Sequence, residues 1–159
     1  MKFHVAGLSV AALGLLALPS PSHADTTATC AAVTNEQVAL LFDRWNSSLG
    51  TKDPTKVAAN YAADAVLLPT VENTATTPDQ IKAYFTNFLK KEPVGKIDTR
   101  TINLGCNEAF DVGTYTFDLK GADGKVSKVA ARYSFIYELR DGDWKIVHHH
   151  SSAMPVKAN

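Results

Sequence analysis

Ala131-Arg132-Tyr133-Ser134-Phe135-Ile136-Tyr137-Glu138, the turn Arg140-Asp141-Gly142-Asp143, and Trp144-Lys145-Ile146-Val147-His148-His149-His150-Ser151-Ser152 read together as a β-hairpin. Asp-Gly is a strong hairpin signal because both residues tolerate positive φ. Counting outward from that turn sets Leu139 against Trp144, Tyr137 against Ile146, Phe135 against His148 and Tyr133 against His150. Strand side chains alternate between faces, so all eight share one face. Arg132, Ser134, Glu138, Lys145, His149 and Ser151 fall on the other. One face is therefore apolar and aromatic and ends in two imidazoles. Such a face is either core or the wall of a pocket.

Working back from the hairpin, Gly95–Cys106, Ala109–Lys120 and Lys125–Leu139 read as long strands, with Asp143–Ala153 as the last. Short turns at Asn107-Glu108, Gly121–Gly124 and Asp141-Gly142 make them an antiparallel meander. A five-residue or bulged loop at the second turn puts Tyr115, Phe117, Val129 and Ala131 on the face of Tyr133 and Phe135. Ahead of the strands lie three helical patterns. Thr34-Asn35-Glu36-Gln37 is a capping box opening a helix with Val38, Leu41, Phe42, Trp45 and Leu49 on one stripe, ended by Gly50. Asp53-Pro54 starts a short helix carrying Val57, Ala58 and Tyr61, and Ala65–Pro69 is a buried strand. Thr77-Pro78-Asp79-Gln80 is a second capping box, before a helix burying Ile81, Tyr84, Phe85, Phe88 and Leu89. Three N-terminal helices packed on a curved antiparallel sheet define an α+β class. Because helices cover only the apolar face, the sheet is expected to wrap them as a cone-shaped barrel.

The N-terminus has a different character. A short basic start, an apolar run over Val5–Leu18 and a Ser22-His23-Ala24 site read as a signal peptide over residues 1–24, cleaved after Ala24. The run is shorter than the ~20 residues a membrane span needs, and no later stretch is apolar enough to cross. The alternative readings of the run are a membrane anchor or a buried helix. Residues 25–33 are a loose lead-in, 34–155 the folded domain and 156–159 a tail. Export to a periplasm or the extracellular space lets the chain's two cysteines, Cys30 and Cys106, pair. Closing that loop is worth roughly 3–5 kcal/mol in the chain-entropy model. With 16 basic and 16 acidic side chains the formal net charge is zero. No basic patch is present, which argues against nucleic acid and against electrostatic membrane binding.

The segment Arg140–Pro155 resembles the C-terminal strand of the calcium/calmodulin-dependent protein kinase II association (hub) domain, above all its secreted stand-alone bacterial branch. The pattern R-D-G-x-W-x-I-V-H-x-H-x-S carries the resemblance, with Tyr84-Phe85-x-Asn87, Phe42-x-x-Trp45 and Gly105-Cys106-Asn107 in support. It covers about the whole chain beyond residue 24. The resemblance implies the nuclear transport factor 2-like cone and implies self-association, most simply a homodimer. It implies no kinase activity, since neither the glycine-rich loop, the H-R-D loop nor D-F-G is present. No basic amphipathic helix is present for calmodulin. Kinase hubs place arginines in their cavity. Matching sets Phe135 and Ser151 at two of those positions and Tyr115 or Thr116 at the third, so carboxylate binding does not carry over. His148, His150 and Ser152 do match the hub pattern.

The residues point to a ligand pocket of Trp45, Tyr61, Tyr115, Tyr133, Phe135, His148 and His150. Either imidazole suits general acid/base work near neutral pH, with Tyr61, Tyr115 or Tyr133 as a donor to a developing oxyanion. The competing reading is two buried histidines that finish the core. Two imidazoles at i, i+2 lack a third ligand for zinc, so neither a metal nor another cofactor is expected. Arg132, Ser134 and His149, with Ile136, Val147, Thr114 and Thr116, make an outer face suited to a moderately polar subunit interface. The sequence therefore supports an exported self-associating domain with a small-molecule pocket. The alternative is a small cofactor-independent isomerase, cyclase or hydrolase.

Overall fold

A computed structural model describes residues 29–155; the signal peptide expected at 1–24 and the tail at 156–159 lie outside them. Helix α1 spans Asn35–Gly50. The Thr34 hydroxyl accepts the Gln37 N–H while the Gln37 amide accepts the Thr34 N–H, so two otherwise unpaired donors are satisfied reciprocally. Val38, Phe42, Trp45 and Leu49 form its buried stripe. Helix α2, Pro54–Ala58, is capped by Asp53, and α3, Pro78–Phe88, by Thr77. At α3 the box is displaced: the Gln80 side chain accepts the N–H of Thr76 rather than that of Thr77.

Strands β1 (Tyr61–Leu68), β2 (Val94–Leu104), β3 (Glu108–Lys120), β4 (Val126–Arg140) and β5 (Asp143–Ala153) form one sheet in the order β1-β5-β4-β3-β2. The meander β2–β5 is antiparallel as expected, whereas β1 pairs β5 in parallel, so the sheet is mixed. Tyr61 opens β1 and is not a helix residue. The cone is open: β1 and β2 are free edges. The loop after β1 folds back through paired Leu67–Ala75 backbone hydrogen bonds of 2.8 and 2.9 Å, blunting one edge. Asp141 and Gly142, at φ +53° and +83°, form the two-residue hairpin turn. Gly121–Lys125 connects β3 to β4.

Bulges in β2 and β5 bend the sheet around α1, and the β1–β5 pairing is also irregular between Tyr61 and Val66. In β2 the register against β3 shifts between Ile97 and Thr99. In β5 Tyr137 pairs with Ile146 but Ile136 pairs with His148, which leaves Val147 as the extra residue. A bulge adds one residue to one strand and increases local bend and twist. Everything in β5 beyond Val147 consequently changes face. Phe135 pairs with His149 and Tyr133 with Ser151, not with His148 and His150 as alternation from the turn predicts. His149 and Ser151 thus join the inner face, and His148, His150 and Ser152 the outer one.

The core beneath the helices is aromatic: Phe42, Trp45, Phe85, Tyr115, Phe135 and Tyr137 are almost entirely buried. At the β2–β3 turn Cys106 is joined to Cys30 by a disulfide. Beside it Asn107 accepts the Ala31 N–H at 2.8 Å and donates to the Thr29 carbonyl at 3.2 Å. The lead-in strand of chain is thereby fastened to the β2–β3 turn.

Candidate functional site

A cavity of about 290 Å³ opens between α3, the loop after β1 and the inner face of the sheet. Trp45, Leu67, Phe85, Phe88 and Phe117 make its walls, and the exposed residues Thr70, Glu72, Asn87 and Lys91 its rim. Helical spacing on α1 and α3 brings Trp45 and Phe85 together, with ring centroids 6.3 Å apart at 69°. Tyr84, Tyr115, His149 and Ser151 supply the polar groups.

His149 is held from several sides. Its ring stacks on Phe135 at 4.1 Å between centroids and meets the Trp45 ring edge-on at 5.3 Å. The Trp45 indole lies 3.0 Å from the Tyr61 hydroxyl, which lies 2.8 Å from His149 Nδ1. Indole N–H only donates, so the Tyr61 oxygen accepts it, which leaves the Tyr61 hydrogen free to point at Nδ1. Nε2 of His149 is buried and has no partner among the described residues. Burial, with small additions from His148 and His150, pushes the His149 pKa down to about 3. The ring is neutral throughout the physiological range. A second chain runs along the cavity wall, where the Tyr115 hydroxyl donates to Ser151 Oγ at 2.6 Å and Ser151 Oγ lies 2.7 Å from Thr70 Oγ1. Burial raises the Tyr115 hydroxyl to about 12 and raises Tyr84 further, so both remain protonated donors.

Of the residues assigned from sequence, Trp45 and Tyr115 line the cavity. Tyr61, Tyr133 and Phe135 are buried on the inner side but belong to the packed core. His148 and His150, the candidate acid/base residues, lie on the outer face because of the Val147 bulge. The same bulge removes His149 from the interface to which it was assigned; Arg132 and Ser134 remain on the outer face. Tyr84, Glu72 and Thr70 enter the site unannounced, whereas Ser151 stands where the hub resemblance matched a cavity arginine.

Asp111 forms a separate cluster on the inner face. It is fully buried, accepts the Tyr133 hydroxyl at 2.8 Å and the Arg100 Nε at 3.2 Å, and meets a second guanidinium nitrogen at 3.1 Å. Burial pushes its pKa up, against the opposing pull of Tyr133 and Arg100. The Arg100 guanidinium also sits 5.5 Å from the Phe42 ring centre. Asp111 is committed to these partners and does not line the cavity. Among the described residues no group of His, Cys, Asp and Glu side chains is placed to hold a metal ion, and no helix is long and apolar enough to cross a membrane.

Helices sheltered by an open, bulged, mostly antiparallel sheet define the nuclear transport factor 2-like class. Solved structures agree: a nuclear transport factor 2-like superfamily protein from Salmonella enterica superposes with a TM-score of 0.68 at 18% identity, over 77% of this chain and 92% of that one. A ketosteroid isomerase-like protein from Erwinia carotovora gives 0.62 at 19% identity, over 77% and 100%. Both show the fold alone. A protein from Xanthomonas campestris, described as a calcium/calmodulin dependent protein kinase II association domain, is 50% identical over 79% of this chain and 94% of its own, with a TM-score of 0.75. Residues 34–155 match the family model of that association domain, and the chain belongs to this family. No curated protein matches it.

Proposed function

We propose that this chain is an exported, self-associating domain with a small-molecule pocket, and not a kinase. The outer sheet face carries the reading. One row runs Val66, His148, Ile136 and Phe110; the next runs Leu68, His150, Ser134 and Val112. All eight are half-buried already in the single chain. Among the described residues no helix covers them, and apolar side chains alternate with hydrogen-bonding ones, as in a moderately polar subunit interface. A twofold contact would set this patch against its own copy. Arg132 and Ser134 lie within or beside it. Membership of an association-domain family supports the same reading. The disulfide suits an oxidising compartment, and with the sequence of residues 1–24 it supports export to a periplasm or beyond.

The alternative, an acid/base enzyme using a pocket histidine, has less support. His148 and His150 face away from the cavity, and the inner imidazole has its Nδ1 occupied by Tyr61. Light scattering and sedimentation of residues 25–159 at micromolar concentration test the proposal. The wild type is expected to be a dimer and Ile136→Lys, which would bury an unpaired ammonium in the contact, a folded monomer. A strictly monomeric wild type overturns self-association.

A further inference from the structure

We infer that the cavity takes a small, uncharged ring compound, seated with its ring between α3 and the sheet and its oxygen at the mouth, where it accepts the spare hydrogen of the Tyr115–Ser151–Thr70 hydroxyl chain. The inference rests on the pocket part of the proposed function and names the class and orientation of the occupant. Two observations carry it. The first is a hydrogen count. Three hydroxyls make two contacts, 2.6 Å between Tyr115 and Ser151 and 2.7 Å between Ser151 and Thr70. Each contact takes one hydrogen, so one is left over whichever way the second contact points. Tyr115 donates to Ser151, so the spare hydrogen belongs to Ser151 or Thr70, and neither hydroxyl has a further partner among the described residues. Both residues line the cavity. Ser151 is half-buried and Thr70 exposed, so an incoming oxygen can reach the hydrogen.

The second observation is the apolar cleft beside that chain. On α3 the Tyr84 and Phe88 rings stack at 13° with centroids 5.7 Å apart, and both are half-buried. Phe88 meets Phe117 of the sheet edge-on at 5.8 Å. Val71 and Val129, 84% and 37% exposed, also border the cavity. Open apolar surface with a few convergent polar groups is the usual make-up of a small-molecule site. At about 290 Å³ the space is roughly twice the ~150 Å³ cavity that holds benzene, so one or two rings fit. The charged lining residues, Glu72 and Lys91, are of opposite sign and both exposed. A single spare hydrogen suits one uncharged acceptor, such as a ketone, aldehyde or amide oxygen. A carboxylate would give up its stronger hydration for the same one bond.

Acetophenone and α-methylstyrene share one flat shape and differ by a carbonyl oxygen in place of a methylene. Calorimetry compares both in the disulfide-bonded wild type and in Thr70→Val/Tyr115→Phe/Ser151→Ala, which removes the three hydroxyls and little else. Loss of the chain should weaken acetophenone about three- to tenfold and leave α-methylstyrene within about twofold. An equal change for both probes would overturn the hydrogen bond while leaving the pocket. Binding of neither probe by well-folded wild type would instead defeat the pocket reading, and the inference with it. Benzoate is expected to bind the wild type more weakly than acetophenone; tighter binding would overturn the uncharged class. Should the triple variant not fold, the wild type still decides. In infrared difference spectra the C=O stretch of bound acetophenone should lie below its position in hexane, as for a hydrogen-bonded carbonyl, and return towards that position in a folded triple variant. A hexane-like band in the wild type, or an unmoved band in the folded variant, overturns the inference.

Discussion

Three consecutive histidines occupy β5, and their side chains live in different media. His149 is 4% exposed, while its neighbours on either side lie on the outer face. The buried ring has a consequence for stability. An unfolded chain takes up a proton on this imidazole below about pH 6.5, whereas the folded chain does so only near pH 3. Between those values the unfolded state holds more protons, so stability falls as pH falls. From pH 7 to pH 5 the wild type should lose about 2 kcal/mol through this group. Urea unfolding at both pH values should show that loss in the wild type and a correspondingly smaller one in His149→Gln. Equal losses would mean that His149 titrates freely. His148 is also shifted down, mainly by burial, and contributes equally to both proteins. The chemistry of this site was legible in the sequence as residue types: an imidazole among aromatics, with tyrosine donors nearby. Which imidazole was not legible, because alternation carries a facing only as far as the next bulge. No glycine or proline marks Val147.

Elements set by neighbours in sequence were readable. The Thr34 and Thr77 caps, Pro at the start of α2 and α3, and the Asp141-Gly142 turn all act over a few residues and all form, with the box at α3 displaced by one residue. Elements set by distant partners were not. The first residues of β1 look helical because Tyr61 continues the apolar spacing of α2; they become strand because Tyr61 pairs with Ile146 across the sheet. The bulge in β2 depends on such a distant partner too. Gly113 sits opposite Arg100, and a Cβ there would collide with the Thr99 carbonyl. Gly113→Ala should therefore push the bulged edge outward at a cost of about 1–3 kcal/mol. A thermal melt checks this, and an unchanged midpoint would show that β2 yields freely at its open edge.

At the scale of the whole molecule the helices occupy one side of an open cone and the disulfide fastens the lead-in to the β2–β3 turn. Cys30 and Cys106 are 76 residues apart, so the bond restrains a large part of the unfolded chain. Its loss in Cys30→Ser/Cys106→Ser should lower stability by about 2–4 kcal/mol, measured by denaturant unfolding against the oxidised wild type. The pairing was readable because the chain carries two thiols and residues 1–24 read as an export leader. That β1 would lie parallel against β5 was not readable, since nothing local encodes a contact between residues so far apart. The bond also divides the chain into a covalent ring and an appendage. All three helices, β1 and β2 lie within the ring, while β3, β4 and β5 form the free arm. The exposed loop at Val71–Asn73 is inside the ring. A protease that nicks this loop would break the polypeptide without dividing the molecule, and the two pieces would part only under a reductant.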